Sequence, residues 1–170
     1  MRLHHFLNLT IAFTIVFLFG CAGPSLSDEA IPSDGNLIAV FQGHRAVFDQ
    51  LLGMIKKDSG LCRVDCDWTA PTNPQDVGVN PERIKDYRQL LDEIHCHRGF
   101  EAFPARPGIH FISVTRGVVA GGLAKGFYYF EGTPDCLVTN TDTYRPKPNE
   151  YSYEIFRPIE GHWYIYLEVD

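Results

Sequence analysis

The sequence predicts an α+β domain, with two N-terminal helices packed on one face of an antiparallel sheet of about four or five strands. Three observations predict it. Apolar residues recur at helical spacing from Leu37 to Ile55 and again from Ile84 to Ile94. After Gly99 the period changes to alternation, in segments rich in β-branched and aromatic residues. No helical segment separates these later strands, as a parallel sheet would require. With 45% hydrophobic and 21% charged residues, the chain has the composition of a protein with one packed core. The net charge of −6 opposes general nucleic-acid binding, which needs the reverse balance.

The first helix presents Leu37, Phe41, Phe48, Leu51, Leu52 and Ile55 along one arc. Ser33 or Asp34 can cap its free N–H groups, Lys56 and Lys57 suit the negative end of its dipole, and Gly60 can end it. Leu61 to Val79 carries Pro71, Pro74 and Gly78 with no sustained period, so it reads as a long loop. The second helix begins with Asn80 as cap, Pro81 at the first helical position and Glu82 in the first turn, and its apolar face is Ile84, Tyr87, Leu91 and Ile94. Strands are expected at Ile109–Thr115, Phe127–Glu131, Tyr151–Phe156 and Trp163–Val169, with a further edge strand at Phe100–Phe103. In the last of these, Trp163, Ile165, Leu167 and Val169 form the side expected to meet the helices.

Ahead of the domain, Arg2, His4 and His5 precede an apolar run from Phe6 to Phe19, broken only by Asn8, Thr10 and Thr14. As a helix this run would reach only about 21 Å, short of the ~30 Å hydrocarbon core, so it suits a signal peptide better than a permanent span. Leu18-Phe19-Gly20-Cys21 follows, and it resembles the lipobox of bacterial lipoproteins. The resemblance implies cleavage before Cys21, a diacylglyceryl group on its thiol and acylation, for example by palmitate, of the freed amine. With Ala22 next, it also implies an outer-membrane address facing the periplasm. Two or three acyl chains anchor stably where a single one does not. Residues 1–20 are thus the expected signal peptide, and 21–36, rich in Pro, Ser, Gly and acid, the lipidated cysteine and a flexible tether. Residues 37–170 are the folded domain, similar in style to small uncharacterised envelope lipoproteins. That similarity implies no activity.

Cys62, Cys66, Cys96 and Cys136 remain after lipidation, an even set that suits disulfides in an exported chain. Three full pairings are open, and a bridge from the Cys62/Cys66 loop to Cys96 would pin the irregular segment. A zinc site from Cys62-x3-Cys66 and His95-Cys96-His97 is the alternative. Helical residues in sequence diverge by about 100°, which opposes it, and no metal or other cofactor is expected. His44, in the apolar arc of the first helix beside Arg45, is expected to be a core histidine or a ligand contact. Arg116 and Lys125 flank a Gly-bearing segment, a candidate anion contact whose spacing is not that of a phosphate loop. Tyr144 and Arg145 lie in the polar Pro134–Glu150 loop and are residue types favoured at partner interfaces. Asp92 and Glu93 diverge on a helix and read as a solvated face.

There is no G-x-S-x-G elbow and no H-E-x-x-H. The expected function is therefore that of a membrane-tethered binding or envelope-interaction domain with an envelope protein as partner. Two alternatives stand beside it, an enzyme on an envelope substrate with His44 and Arg116 in one pocket, and an inhibitor or immunity-type lipoprotein.

Overall fold

The computed structural model describes residues 30–117 and 122–170. Three helices and seven strands follow in the order α1 (Asp34–Gly43), α2 (Arg45–Lys57), β1 (Arg63–Val64), β2 (Thr69–Ala70), α3 (Pro81–Glu93), β3 (Phe100–Glu101), β4 (Ile109–Arg116), β5 (Leu123–Tyr129), β6 (Tyr153–Glu160) and β7 (Trp163–Val169). A short 3₁₀ turn, Pro74–Val77, lies between β2 and α3. All pairings between strands are antiparallel, in the order β2-β1-β3-β4-β5-β7-β6. The α+β class holds, and the sheet is wider than the sequence predicts. The added strands β1 and β2 have two residues each and pair across the turn Asp65–Trp68, inside the segment read as a loop. Such short strands show no period. The Phe100 segment is not an edge, since β3 lies between β1 and β4.

The first predicted helix is two. Ser33 caps α1 by accepting from the Asn36 N–H, and the chain bends at His44 before α2 begins. The hydrogen-bond ladder survives the bend: the His44 N–H donates to the Val40 carbonyl, and the His44 carbonyl accepts from Val47 and Phe48. Gly43, a poor helix former, precedes the bend. The apolar arc stays intact across it. Phe41 and Phe48 both reach Trp163, with ring centroids at 5.6 and 5.2 Å, and Phe48 lies edge-on to Phe127 at 4.7 Å. Trp163 and Ile165 face the helices as predicted, in one core with Tyr87, Leu91, Phe100 and Phe111.

The opposite face of the sheet is also closed. Tyr128, Phe156, Tyr164 and Tyr166 form a second buried cluster there. Loops complete it: the Tyr128 hydroxyl donates to the Pro107 carbonyl at 2.7 Å, and the Tyr164 hydroxyl to that of Gly132 at 3.3 Å. His110 is packed between Tyr128 and Tyr166 and meets Glu154 at 3.0 Å.

A buried ion cluster joins the start of α1 to the C-terminal strands. Lys125 Nζ on β5 stands 2.9 Å from Asp34 and 2.5 Å from Asp142, and Arg157 on β6 reaches Asp34 at 3.0 Å. Thr141 adds its backbone N–H, at 2.7 Å, and its hydroxyl to the Asp34 carboxylate. Burial alone would raise the Asp34 carboxyl, but the hydrogen bonds from Thr141, Lys125 and Arg157 outweigh it and hold it below the usual carboxylate range. Two carboxylates thus meet two cations, which satisfies charges that would be prohibitive alone.

Candidate cleft between the hairpin turn and the α3–β3 turn

A hollow lined by thiol, carboxylate, guanidinium and imidazole groups lies where two turns face each other. The first is Asp65-Cys66-Asp67-Trp68, closed by the Asp65 N–H donating to the Trp68 carbonyl at 2.9 Å. The second follows α3, where His95 takes a left-handed φ of 56° and the Gly99 N–H returns to the Cys96 carbonyl at 2.8 Å. Gly99 is required there. Its φ is 79°, and a Cβ would collide with the Val64 carbonyl oxygen, so only glycine lets β1 and the turn approach this closely. Arg88 of α3 ties the helix to the first turn by donating from Nε to the Asp65 carbonyl at 2.9 Å.

The cleft has a volume of about 280 Å³, with Leu91 and Cys96 on its apolar side and Cys66, Arg88, Asp92 and His97 on its polar side. This falls just below the ~300–1,000 Å³ of small-molecule sites, a size suited to one side chain or a small ligand. On the same hairpin Trp68 is 47% exposed, with the Arg63 guanidinium 4.7 Å from the ring centroid. Arg63 is held in turn by Asp65 at 2.7 Å and by Glu101. A smaller hollow of about 180 Å³ lies beyond the same turn, lined by Leu37, Val40, Val114 and His95, and His97 borders both.

The electrostatics favour holding a ligand over attacking one. Burial would raise the Asp65 carboxyl, but hydrogen bonds from Arg63 and the Cys66 N–H hold it below its ordinary value. Burial and the carboxylates of Asp65 and Asp67 push the Cys66 thiol up, so little thiolate is present near neutrality. Burial pushes Cys96 up to about 12, against a small opposing effect of Ser113, whose hydroxyl lies 3.6 Å from its sulfur. Ser113 is the residue displaced by a bulge in β4, which turns it toward Cys96. His97 Nδ1 meets Asp92 at 2.9 Å, which orients the ring at the edge of the cleft.

The chain matches no family model, no curated protein and no solved structure. The cleft must therefore be read from its own chemistry.

Cys66, Cys96 and His97, drawn from the two clusters of the zinc reading, do share this cleft. The helix ends at Glu93, so the helical objection to that reading falls away, yet the side chains diverge: Cys96 turns to Ser113, His95 to the second hollow, and Cys62 to the Gly60 carbonyl. Asp65, Cys66 and Asp67 bring their ligand atoms within 4.8 Å of one another, but Asp65 is already paired with Arg63. The four described cysteines are free thiols, so no predicted bridge is drawn in this structure.

Other expected sites are corrected. His44 is not a core histidine; it sits at the bend between α1 and α2, its side chain 35% exposed and 3.6 Å from Glu93. The groove at Arg116, lined among others by Thr115, Gly122, Glu168 and Asp170, does not contain His44, so the pocket that would unite them is not formed. Lys125 is no surface cation for an anion, because its side chain is 1% exposed and committed to Asp34 and Asp142. Tyr144 bonds Glu150 at 3.1 Å and packs on Tyr153, while the exposed Arg145 donates to the Tyr144 carbonyl. The middle of the Gly-bearing segment, residues 118–121, and Cys21 lie outside the described residues. Sequence reasoning missed Asp65, Trp68 and Arg88, and only the turn-forming Asp-Cys-Asp run offered a signal for the first two.

Proposed function

We propose that this protein is an extracytoplasmic lipoprotein, acylated at Cys21 and held on the outer membrane, whose domain binds an envelope protein. The observation that carries the reading is Leu18-Phe19-Gly20-Cys21 directly after an apolar run too short to span a bilayer. Among the described residues no helix is long and apolar enough to cross a membrane. In this reading the acyl chains are the attachment. The fold is consistent with a tethered binder in a specific way. Because α1 begins at Asp34, inside the segment read from the sequence as the tether (21–36), the tether would end at Ser33, and the buried Asp34 cluster can carry pull on that end into β5 and β6.

The contact surface in this reading is the hairpin tip, where Trp68 is exposed, with Arg145 of the 134–150 loop as a second surface. Tryptophan is among the residue types that dominate binding energy at protein interfaces. Mass spectrometry of the mature protein tests the anchor: the expected result is an acylated N-terminal Cys21 peptide in the membrane fraction, and a soluble form without acyl mass overturns it. Site-specific photo-crosslinking from position 68 in whole cells tests the surface. One dominant adduct that is absent when the photo-reactive group is moved to exposed Lys85 supports it, and labelling no different from that at Lys85 overturns it.

A further inference from the structure

We infer that Cys66 and Cys96 are the disulfide-forming pair of this protein and that Cys62 and Cys136 stay out of it. Two points rest on the extracytoplasmic reading: where the bond forms, an oxidising compartment, and the exclusion of Cys21, whose thiol is acylated in that reading. The pairing itself follows from strand order.

Each of the three full pairings of the four cysteines joins Cys136 to another. Cys136 lies on the outer side of β6, where its carbonyl accepts from the Phe156 N–H. β1, which carries Cys62 and Cys66 at its two ends, is five strand spacings away in the sheet. At ~4.8 Å per spacing that is about 24 Å, whereas a disulfide joins Cα atoms no more than ~7 Å apart. Cys96 lies against Ser113 of β4, three spacings from β6 or about 14 Å. Every full pairing is therefore excluded, and at most one internal bridge remains.

Among Cys62, Cys66 and Cys96 the ladder decides. The Cys62 N–H donates to the Ala70 carbonyl and the Asp65 N–H to that of Trp68, so the residues between the two cysteines run extended and separate them by about 13 Å. Cys62 stands opposite Ala102, to which its carbonyl is bonded, and the ladder runs on from there to Gly99 before the chain turns to Cys96. That places Cys62 about 10 Å or more from the turn. Cys66 is at the other end. Val64 pairs with Phe100, Gly99 packs directly on Val64 and Asp65, and the Gly99 N–H closes the turn onto Cys96. Cys66 and Cys96 also line one cleft, which Cys62 and Cys136 do not border.

A small disulfide such as oxidised glutathione supplies the oxidant. The exposed Cys66, as thiolate, attacks one glutathione sulfur, forming a mixed disulfide and releasing the other half as thiol. Cys96 then loses its proton, turns from Ser113 into the cleft and attacks the Cys66 sulfur, which expels the second glutathione thiol. Two protein thiols give up two electrons and two protons, and glutathione disulfide takes them up. The carboxylates beside Cys66 slow the first step at neutral pH and let it accelerate in mild alkali.

The experiment uses the purified full chain, reduced, exposed to oxidised glutathione under native conditions, alkylated and mapped by mass spectrometry. The expected product is a monomer lighter by two hydrogen atoms, with a linked peptide pair holding Cys66 and Cys96 and with Cys62 and Cys136 alkylated. Cys62→Ser and Cys136→Ser should leave that bond intact, and Cys66→Ser, at an exposed position, should abolish internal linkage. An internal bond that includes Cys62 or Cys136, or no internal bond at all, overturns the pairing. Trapping thiols in intact cells is a separate readout. Reduced Cys66 and Cys96 there, with ready pairing in the tube, would break the compartment reading and leave the geometry standing.

Discussion

The two ends of the sheet solve opposite problems. At the β5-β7-β6 end, long strands pair over seven or eight residues and the polar groups are sealed into the Asp34–Lys125–Asp142–Arg157 cluster. At the β2-β1-β3 end, strands of two residues carry a turn with an exposed Trp68, an accessible thiol and an open cleft. Few ladder bonds hold the second end, so it is the part of the molecule able to open or adapt locally. In the proposed reading the sealed half would anchor the tether and the lightly held half would present the contact surface.

The sharpest way to break this contrast is to strike the sealed end. Lys125→Met removes one of two cations from a pair of carboxylates, one of them fully buried, and should destabilise the domain by about 3–5 kcal/mol in urea unfolding. If the cluster is dispensable, the loss will be under 1 kcal/mol. At the other end the change runs in the opposite direction. Joining Cys66 to Cys96 should stabilise the oxidised over the reduced protein by about 2–4 kcal/mol, because it adds a covalent link where the ladder is shortest. The same unfolding assay with and without reductant reads it.

Acid provides a milder probe of the sealed end. The Asp34 carboxyl titrates lower folded than its ordinary 3.8. Its contribution to stability is therefore complete above the unfolded value and is lost as pH falls from there through the folded one. Wild type should lose stability below about pH 4 with a slope that Asp34→Asn flattens, and parallel curves would show that other carboxylates control acid unfolding.

How much of this was legible in the sequence divides along the same line. Ser33, Asn80 and Pro81 announce helix starts by local chemistry, and the start of α3 appears where predicted. The alternation of Trp163 and Ile165 against Tyr164 and Tyr166 assigns both faces of β7. Periodicity needs several turns or several residues to show itself, so the two-residue strands were invisible, and the Leu37–Ile55 arc concealed a bend because Phe41 and Phe48 stay in phase across it. Lys125 could not be recognised as buried, since its partners lie 91 and 17 positions away in the chain. The cleft and the cysteine distances depend on strand order, which no local pattern encodes.

The smallest expected effect on stability falls on Trp68, and it discriminates best. The ring is about half exposed and its main described contact is the Arg63 guanidinium, which Asp65 and Glu101 hold independently. Trp68→Ala should therefore change unfolding free energy by no more than about 0.5 kcal/mol, the usual range for a surface position. An interface anchor of this type contributes about 2 kcal/mol or more to association, roughly thirtyfold in affinity. The variant should keep its urea midpoint while its capture of an envelope partner collapses. A variant that unfolds early would make Trp68 a structural clamp on the hairpin and move the contact surface to the 134–150 loop, where Tyr144→Ala and Arg145→Ala would then be the substitutions that lower capture.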